Sequence, residues 1–230
     1  MKQLRTSSII LRRVEYGEAD RILTVITPDA GKLSLMARGV RKVKSKLAGG
    51  IELFSTSEIT YIPGRGTIDT LVSSRLLKYY GNIIKDIDRT MLGYELIKLL
   101  DKVTEDEPEQ EYYSLLQNAF EALDDHTVPV DMVRLWFSAQ LLRQAGYTPN
   151  LQTTLDGAKL TADVQYEFDY DATAFRLQED GIFGADEIKF LRLVFSGNAP
   201  AVLAKVANVA PLVILTAPLI QTLRQYHLRI

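Results

Sequence analysis

A basic run early in the chain is the densest group of residues with binding chemistry. Residues 38–46 read Arg-Gly-Val-Arg-Lys-Val-Lys-Ser-Lys, with five cations and no acid. Phosphates are spaced along a nucleic-acid strand, so several cations on one loop can each meet a phosphate and release its counterions. The candidate phosphate contacts are Arg38, Arg41, Lys42, Lys44 and Lys46. The alternative is a solvated loop that is basic only for solubility.

Other cations in the same region form a second tier of candidates for nucleic-acid contact. Arg65 lies between Gly64 and Gly66, on a turn that suits a close approach to a backbone. Arg12, Arg13 and Arg21 fall in strand-like runs, where a cation can also simply face solvent. We therefore rank Arg65 above these three strand residues.

Aromatic residues near these cations could stack nucleobases on one face of the structure. Tyr16 and Tyr61 lie beside turn signals and are the candidates for stacking. Phe54 is equally consistent with a place in the core, so both alternatives stay open for it.

Catalytic and metal chemistry find little support in the composition. Cysteine is absent and there are two histidines, His126 and His227, which excludes thiolate nucleophiles, disulfides and zinc sites built from Cys and His. Glu18 and Asp20 are expected to be structural, accepting backbone N–H groups in a turn or pairing with Arg21. No phosphate-binding loop or nucleophile elbow occurs. We expect no catalytic residue and no cofactor; a metal-dependent nucleic-acid enzyme is the weaker alternative.

Residues 6–77 show short strand-like runs separated by turns. Pro28 to Gly31 is typical of a hairpin turn, and Pro63 to Gly66 is a second turn. The pattern predicts five strands and a small closed barrel, for which the OB-fold is the expected type. Another small β-barrel or a sandwich is the alternative.

After about residue 81 the apolar spacing changes from a strand to a helix period. The pattern predicts an α+β chain with an OB-fold domain at residues 1–80 and an α-helical domain at residues 81–230. Residues 148–184 are polar, are interrupted by Gly and Pro, and are predicted to form an irregular insertion with a short β-run. The predicted helices cover residues 83–103, 112–123, 130–145, 185–195, 199–206 and 211–227.

The charge divides along the same boundary. The 230 residues carry a net charge of −2, yet residues 1–80 hold 14 basic and 7 acidic residues. The remaining residues hold 13 basic and 22 acidic ones. Such asymmetry points to nucleic-acid contact by the basic part. An OB-fold factor that binds RNA is an alternative, because charge and aromatic content do not distinguish RNA from DNA.

The sequence gives no sign of a membrane segment. The longest apolar stretch, Pro211 to Ile220, has ten residues with two prolines and is too short to cross a hydrocarbon layer of ~30 Å. No signal-peptide pattern opens the chain. We expect a cytoplasmic, nucleoid-associated protein without membrane contact.

Several short motifs follow one another in order along the chain. Gly17-Glu18-Ala19-Asp20 leads into the second strand, a basic loop ends at Gly49-Gly50, and Gly64-Arg65-Gly66 forms a later turn. In the helical part, Arg134-Leu135-Trp136-Phe137 precedes Gly146-Tyr147-Thr148-Pro149. No single motif is specific, but the ordered set covers most of the chain and resembles the RecO family of bacterial recombination mediators.

One departure from this family concerns zinc. Many members carry two CxxC pairs after the Gly-Tyr-x-Pro segment, whereas Thr153 and Asp156 stand at the first pair's place here. The resemblance therefore implies a variant without zinc, whose residues 148–184 are held by packing. The side chains expected to pack there are Leu151, Leu155, Leu160, Phe168, Phe175 and Leu177.

The resemblance also implies a role and a set of partners. Family members bind single- and double-stranded DNA, anneal complementary strands and, with RecR, help load RecA onto DNA coated by single-strand-binding protein. In some members the helical domain binds the acidic tail of single-strand-binding protein. Arg134 and Arg143 flank the apolar run Leu135 to Leu142 and are candidates for binding the tail's carboxylate. The alternative is that both are surface residues of a core helix, and Trp136 is expected in the core.

Overall fold

The computed structural model describes residues 2–43, 45, 47–104 and 110–229. Its contacts divide the chain into two compact units, Met1–His126 and Thr127–Ile230. The first contains a β-barrel and two long helices, and the second contains further helices and a small sheet. The last barrel strand ends at Tyr79, so strands give way to helices inside the first unit.

Five strands close into a barrel in the first unit. They are β1 (Leu4–Tyr16), β2 (Asp20–Thr27), β3 (Gly31–Ala37), β4 (Ser55–Ile62) and β5 (Asp69–Tyr79). Their order around the barrel is β1-β2-β3-β5-β4; β3 and β5 are parallel, and the other neighbours are antiparallel. This closed arrangement of five strands confirms the predicted OB-type barrel and rules out the sandwich.

β1 is long enough to pair with two neighbours. Its first half, up to Ile9, pairs with β4, and its second half, up to Tyr16, pairs with β2. The β1–β2 register shifts between Ile10 and Arg12. A bulge of this kind bends and twists a strand, which lets β1 follow the curvature that closure of the barrel requires.

Apolar side chains from all five strands fill the barrel. The strand residues in this core are Ile10, Leu23, Val25, Leu35, Ala37, Ile59, Tyr61 and Leu71. Val40 and Ile51, from the segment between β3 and β4, are buried in the same core. Burial of an apolar side chain contributes roughly 1.5–3 kcal/mol, so these two residues anchor the basic segment near both of its ends.

Two helices complete the first unit. A 3-10 turn at Ile83–Lys85 precedes α1 (Ile87–Val103), and α2 (Gln110–Asp124) follows. The Asp86 carboxylate caps α1 by accepting the backbone N–H groups of Asp88 and Arg89. These hydrogen bonds, above all the one from Arg89, hold the pKa of Asp86 below its ordinary value.

Two cations bind the carboxyl ends of these helices. The Arg89 guanidinium donates to the carbonyl oxygen of Leu123, near the end of α2. The Lys32 ammonium, on β3, donates to the carbonyl oxygens of Asp101 and Thr104 at the end of α1. The last carbonyls of a helix lack partners within the helix and carry partial negative charge, so cations are stabilising there. The contact from Lys32 joins α1 directly to the barrel.

Phe54 lies in an aromatic cluster where the barrel meets the helices. Its ring packs edge-to-face against Tyr94 and Phe120, with centroids 5.1 and 5.5 Å away. Phe54 is buried, so the core alternative is correct for it. Gly93 permits this packing, because a Cβ atom there would lie 2.6 Å from Cε1 of Phe54.

The second unit combines helices with a three-stranded sheet. Its elements are α3 (Val130–Gln144), β6 (Asn150–Thr154), β7 (Tyr166–Asp169), β8 (Ala174–Leu177), α4 (Ala185–Phe195), α5 (Pro200–Leu203) and α6 (Val209–Leu228). Trp136 on α3 is buried, as expected, and its indole N–H donates to the carbonyl oxygen of Asn198 at 2.7 Å. Across the described ranges, no helix combines the length and apolar character that crossing a bilayer would require.

The insertion at residues 148–184 forms this small sheet, in the order β6-β8-β7. Leu151, Phe168 and Phe175 are buried as expected, but the expectation is wrong for Leu155 and Leu177, which are exposed. Leu160 is half-buried. The sequence analysis missed two aromatic residues of this core, which contact Phe175: Tyr166 and Phe183.

Replacing Gly93 with alanine tests the contact with Phe54. Alanine gains about 1 kcal/mol of helix propensity over glycine. The added methyl group overpacks a ring held between Tyr94 and Phe120, which costs about 1–3 kcal/mol. We therefore expect Gly93→Ala to lower the free energy of unfolding, measured by urea denaturation. The control is Met91→Ala, at an exposed position of α1, which should change the free energy of unfolding by less than ~0.5 kcal/mol. Stabilisation of the protein by Gly93→Ala would contradict the close contact between Gly93 and Phe54.

Candidate nucleic-acid interface

The basic segment begins where β3 ends. Arg38 follows Ala37 in a turn and is exposed, as are Arg41 and Lys42. Val40, between these cations, is buried in the barrel core. The buried Val40 fixes this part of the segment, and the neighbouring cations remain on the surface. The predicted contacts Lys44 and Lys46 lie outside the described residues.

The β1–β2 turn holds the start of this segment through two hydrogen bonds. The backbone N–H of Gly39 donates to Oδ1 of Asp20 at 2.7 Å, and the N–H of Arg41 donates to the carbonyl oxygen of Ala19 at 2.9 Å. Gly39 has φ +64°, a conformation that costs glycine little. Asp20 therefore has the structural role expected of it, but its partner lies on the basic segment rather than within its own turn.

Glu15 is an acidic residue of this surface that the sequence analysis did not identify. Its carboxylate lies 3.3 Å from Nη1 of Arg41 and 3.7 Å from Nη2 of Arg21. Glu15 and Arg21 are opposite each other in the β1–β2 hairpin. The Glu15–Arg21 ion pair could have been predicted from the register of the hairpin. The Glu15–Arg41 contact could not, because it depends on the path of the loop after β3.

The other predicted cations differ in whether they form an ion pair with a carboxylate. Arg13 is half-buried and its Nη1 donates to Glu52 at 3.0 Å, so it is partly neutralised. Arg65 is exposed on its turn, and that turn is held by the Gly64 N–H, which donates to Oδ1 of Asp69 at 2.8 Å. Within the described ranges, no carboxylate forms an ion pair with Arg38, Lys42 or Arg65.

The two tyrosines proposed to stack bases differ in their exposure to solvent. Tyr16 ends β1 with 55% of its surface exposed, next to the β1–β2 turn. Tyr61 is only 5% exposed, and the expectation that it stacks bases is wrong. It lies two residues after the buried Ile59, on the same inner face of β4. Burial raises the pKa of its hydroxyl.

The two cations proposed for partner binding lie on α3. Arg134 is half-buried, and Arg143 is exposed with its Nε donating to Oε1 of Gln140 at 2.8 Å. A separate groove of about 350 Å³ in this unit is lined by Arg192, Phe195 and neighbouring residues. The Nε of Arg192 donates to the carbonyl oxygen of Leu151 at 2.8 Å. The role of Arg134 and Arg143 in partner binding stays a prediction.

The residues at the family's zinc position do not fit that metal. Thr153 accepts a hydrogen bond from the Asn150 side chain, and Asp156 is exposed. Tetrahedral structural zinc sites use thiolate and imidazole ligands, and neither residue supplies one. In the described part of the chain, no cluster of three or more His, Asp or Glu side chains could hold a metal ion.

Comparison with known proteins places this barrel and its helices in a family. The profile of the N-terminal part of recombination protein O matches residues 1–80, and the profile of its C-terminal part matches residues 84–175. The chain belongs to the RecO family. The residues that form the anchored basic segment all fall within the first match.

Individual relatives agree with this membership. The chain is 34% identical over 164 residues to the DNA repair protein RecO of Dehalococcoides mccartyi, covering 70% of this chain and 64% of that protein. It is 35% identical over 159 residues to the DNA repair protein RecO of Roseiflexus sp., covering 68% of this chain and 55% of that protein. The matches thus span less than two thirds of these RecO relatives.

Removing the Asp20 carboxylate tests whether it positions the basic segment. Loss of an acid beside the basic segment should favour binding of a polyanion, whereas loss of the hydrogen bond to Gly39 should disfavour it. Because a hydrogen bond to a charged group contributes ~1.5–3 kcal/mol, we expect the second effect to dominate. Asp20→Ala should therefore weaken binding of a single-stranded oligonucleotide, measured by fluorescence anisotropy.

Glu18→Ala is the matched control, because Glu18 is an exposed acid of the same turn. It removes the same charge and should leave binding unchanged or slightly tighter. Equal tightening by both variants would show that Asp20 acts only through its charge.

Proposed function

We propose that this chain is a DNA repair and recombination mediator that binds single- and double-stranded DNA through the basic segment of its barrel. The observation that carries the proposal is a set of exposed cations on an anchored segment. Asp20 fixes Gly39, Val40 is buried in the core, and Arg38 and Lys42 remain exposed. Membership of the RecO family supports the same role.

The proposed activity is annealing of complementary strands, which makes and breaks no covalent bond. Two polyanions must be brought together while their bases search for partners. Exposed cations lower the repulsion between the strands, and contacts to phosphates do not depend on sequence, so the strands can move into register. In this proposal Arg38, Lys42 and Arg65 bind phosphates, and Tyr16 is available to stack on a base. Lys44 and Lys46 are further candidates.

Three arginines of this surface are proposed to contribute less to DNA affinity: Arg41, Arg21 and Arg13. Each lies near a carboxylate, Glu15 for the first two and Glu52 for Arg13. A phosphate that binds them competes with that carboxylate, which reduces the gain from each contact. These three arginines therefore orient the surface and contribute less affinity than the exposed cations.

We further propose a division of labour between residues 1–80, which bind DNA, and residues 81–230, which serve protein partners. By resemblance to the family, the partners are RecR and the acidic tail of single-strand-binding protein, with RecA acting downstream. Arg134 and Arg143 are the residues proposed for the tail. Within this proposal the chain acts as a binding protein and not as an enzyme.

A double variant of the basic segment tests the DNA-binding proposal. Each phosphate contact to single-stranded DNA contributes about 0.7 to the slope of log affinity against log salt. Arg38→Gln/Lys42→Gln should therefore make the slope shallower by about 1.4 and weaken binding to all sequences equally. The measurement is a salt titration with an oligonucleotide, followed by annealing of complementary strands without ATP or Mg²⁺.

Arg5→Gln/Arg75→Gln is the matched control, because both arginines pair with Glu58 on the same barrel. It should leave the slope nearly unchanged. An unaltered slope in the Arg38/Lys42 variant would reject this segment as the phosphate contact. Stronger binding of RNA than of DNA in competition would favour the RNA-binding alternative.

A further inference from the structure

The acidic residues of the second unit are confined to a small part of its sequence. Apart from Asp131, all of them lie between Asp156 and Glu187, in and beside the small sheet. Residues 132–155 and 188–230 contain no Asp or Glu. These two stretches carry seven cations: Arg134, Arg143, Lys189, Arg192, Lys205, Arg224 and Arg229. Apart from Asp131 in the first turn of α3, neither α3 nor α6 contains an acidic residue, although the helical part as a whole is acidic.

Three aromatic rings meet where α3 and α6 end. The ring of Tyr147, just after α3, is stacked on His227 of α6, with centroids 4.5 Å apart and 17° between the planes. Tyr226 meets the same imidazole edge-on at 5.1 Å. Tyr147 is 43% exposed and Tyr226 is 59% exposed. The two phenol rings therefore offer surface to solvent from an array that His227 holds in place.

One exposed cation adjoins these rings in the sequence, because Arg229 follows His227 by two residues. Arg143 is also exposed, but its guanidinium donates to Gln140 and lies against Gly197. The ordinary explanation for such cations is that they stabilise the carboxyl end of a helix. That explanation does not account for the two exposed aromatic rings. Contact with an apolar or π surface would stabilise these rings relative to exposure to water.

Exposed rings next to a cation in the chain, on helices that carry almost no acids, suit single-stranded nucleic acid. Each nucleobase has a π face that stacks on an aromatic ring, and each linking phosphate pairs with a cation. Bases in a duplex are already stacked on each other, so the array selects single strands. An acidic peptide would use the same cation but has no planar groups at regular spacing to cover both tyrosines.

We propose that Tyr147, Tyr226 and His227, with Arg229, form a second contact for single-stranded DNA on the second unit, in addition to the protein partners proposed for residues 81–230. The inference rests on the proposed annealing function, which requires two strands to be held at once. The barrel segment binds one strand through phosphates, and the aromatic array binds another through its bases. The two contacts differ in chemistry, so they can be removed separately.

The test compares tyrosine variants in the full-length chain. Tyr147→Leu/Tyr226→Leu keeps apolar side chains and removes both stacking rings. In the Arg38→Gln/Lys42→Gln background, we expect it to weaken oligo-dT binding by at least ~10-fold, with little change in the salt slope. Binding to a duplex of equal length should be unaffected. Strand annealing should fall even with the barrel segment intact.

Tyr170→Leu is the matched control, an exposed tyrosine (36%) in the acidic part of the same unit, between Asp169 and Asp171. It should leave oligo-dT binding unchanged. The thermal unfolding midpoint of each variant shows whether it folds. Arg229→Gln gives an independent second variant at an exposed position, which should weaken oligo-dT binding and make the salt slope shallower.

The outcomes separate this inference from the function on which it rests. If Tyr147→Leu/Tyr226→Leu matches Tyr170→Leu in oligo-dT binding and annealing, the second contact is overturned while the barrel proposal stands. If it loses only the binding of an acidic peptide ending in a carboxylate, the site serves a protein and the inference is also overturned. If Arg38→Gln/Lys42→Gln leaves DNA binding intact, the barrel proposal fails, whatever the tyrosine variants show.

Discussion

The pairing of one long strand with two neighbours is the constraint on which the first unit depends. β1 pairs with β4 and then with β2, and β2 in turn pairs with β3. Arg21 lies opposite Ala37 in that last ladder, so the β1–β2 turn lies beside the end of β3. Only there can Asp20 accept the N–H of Gly39. Closure of the barrel and presentation of the cations therefore follow from the same strand geometry.

Acidic residues on the basic surface hold its backbone and two of its arginines in place. A surface made only of cations would repel itself and leave its loop without a fixed conformation. Asp20 fixes the backbone of the segment, and Glu15 holds Arg41 and Arg21. The cations without a nearby carboxylate then remain available for an external anion.

Aromatic packing has a structural part in both units. In the first, Phe54 joins the barrel to α1 and α2 with Tyr94 and Phe120. In the second, Phe175 contacts Tyr166 and Phe183 within residues 148–184. Rings of this size bury enough apolar area to organise a short sheet.

The sequence by itself determined the five strands, the helices and the basic run, because strand and helix periods and charge density are local properties. It also indicated the core position of Trp136. Only the tertiary structure decided that Tyr61 points inward, that Leu155 and Leu177 are exposed, and that Asp20 binds Gly39. These outcomes depend on which face of an element meets the core and on contacts between residues distant in sequence. The array of Tyr147, Tyr226 and His227 belongs to the same class, since its members lie about eighty residues apart and meet only where two helices end.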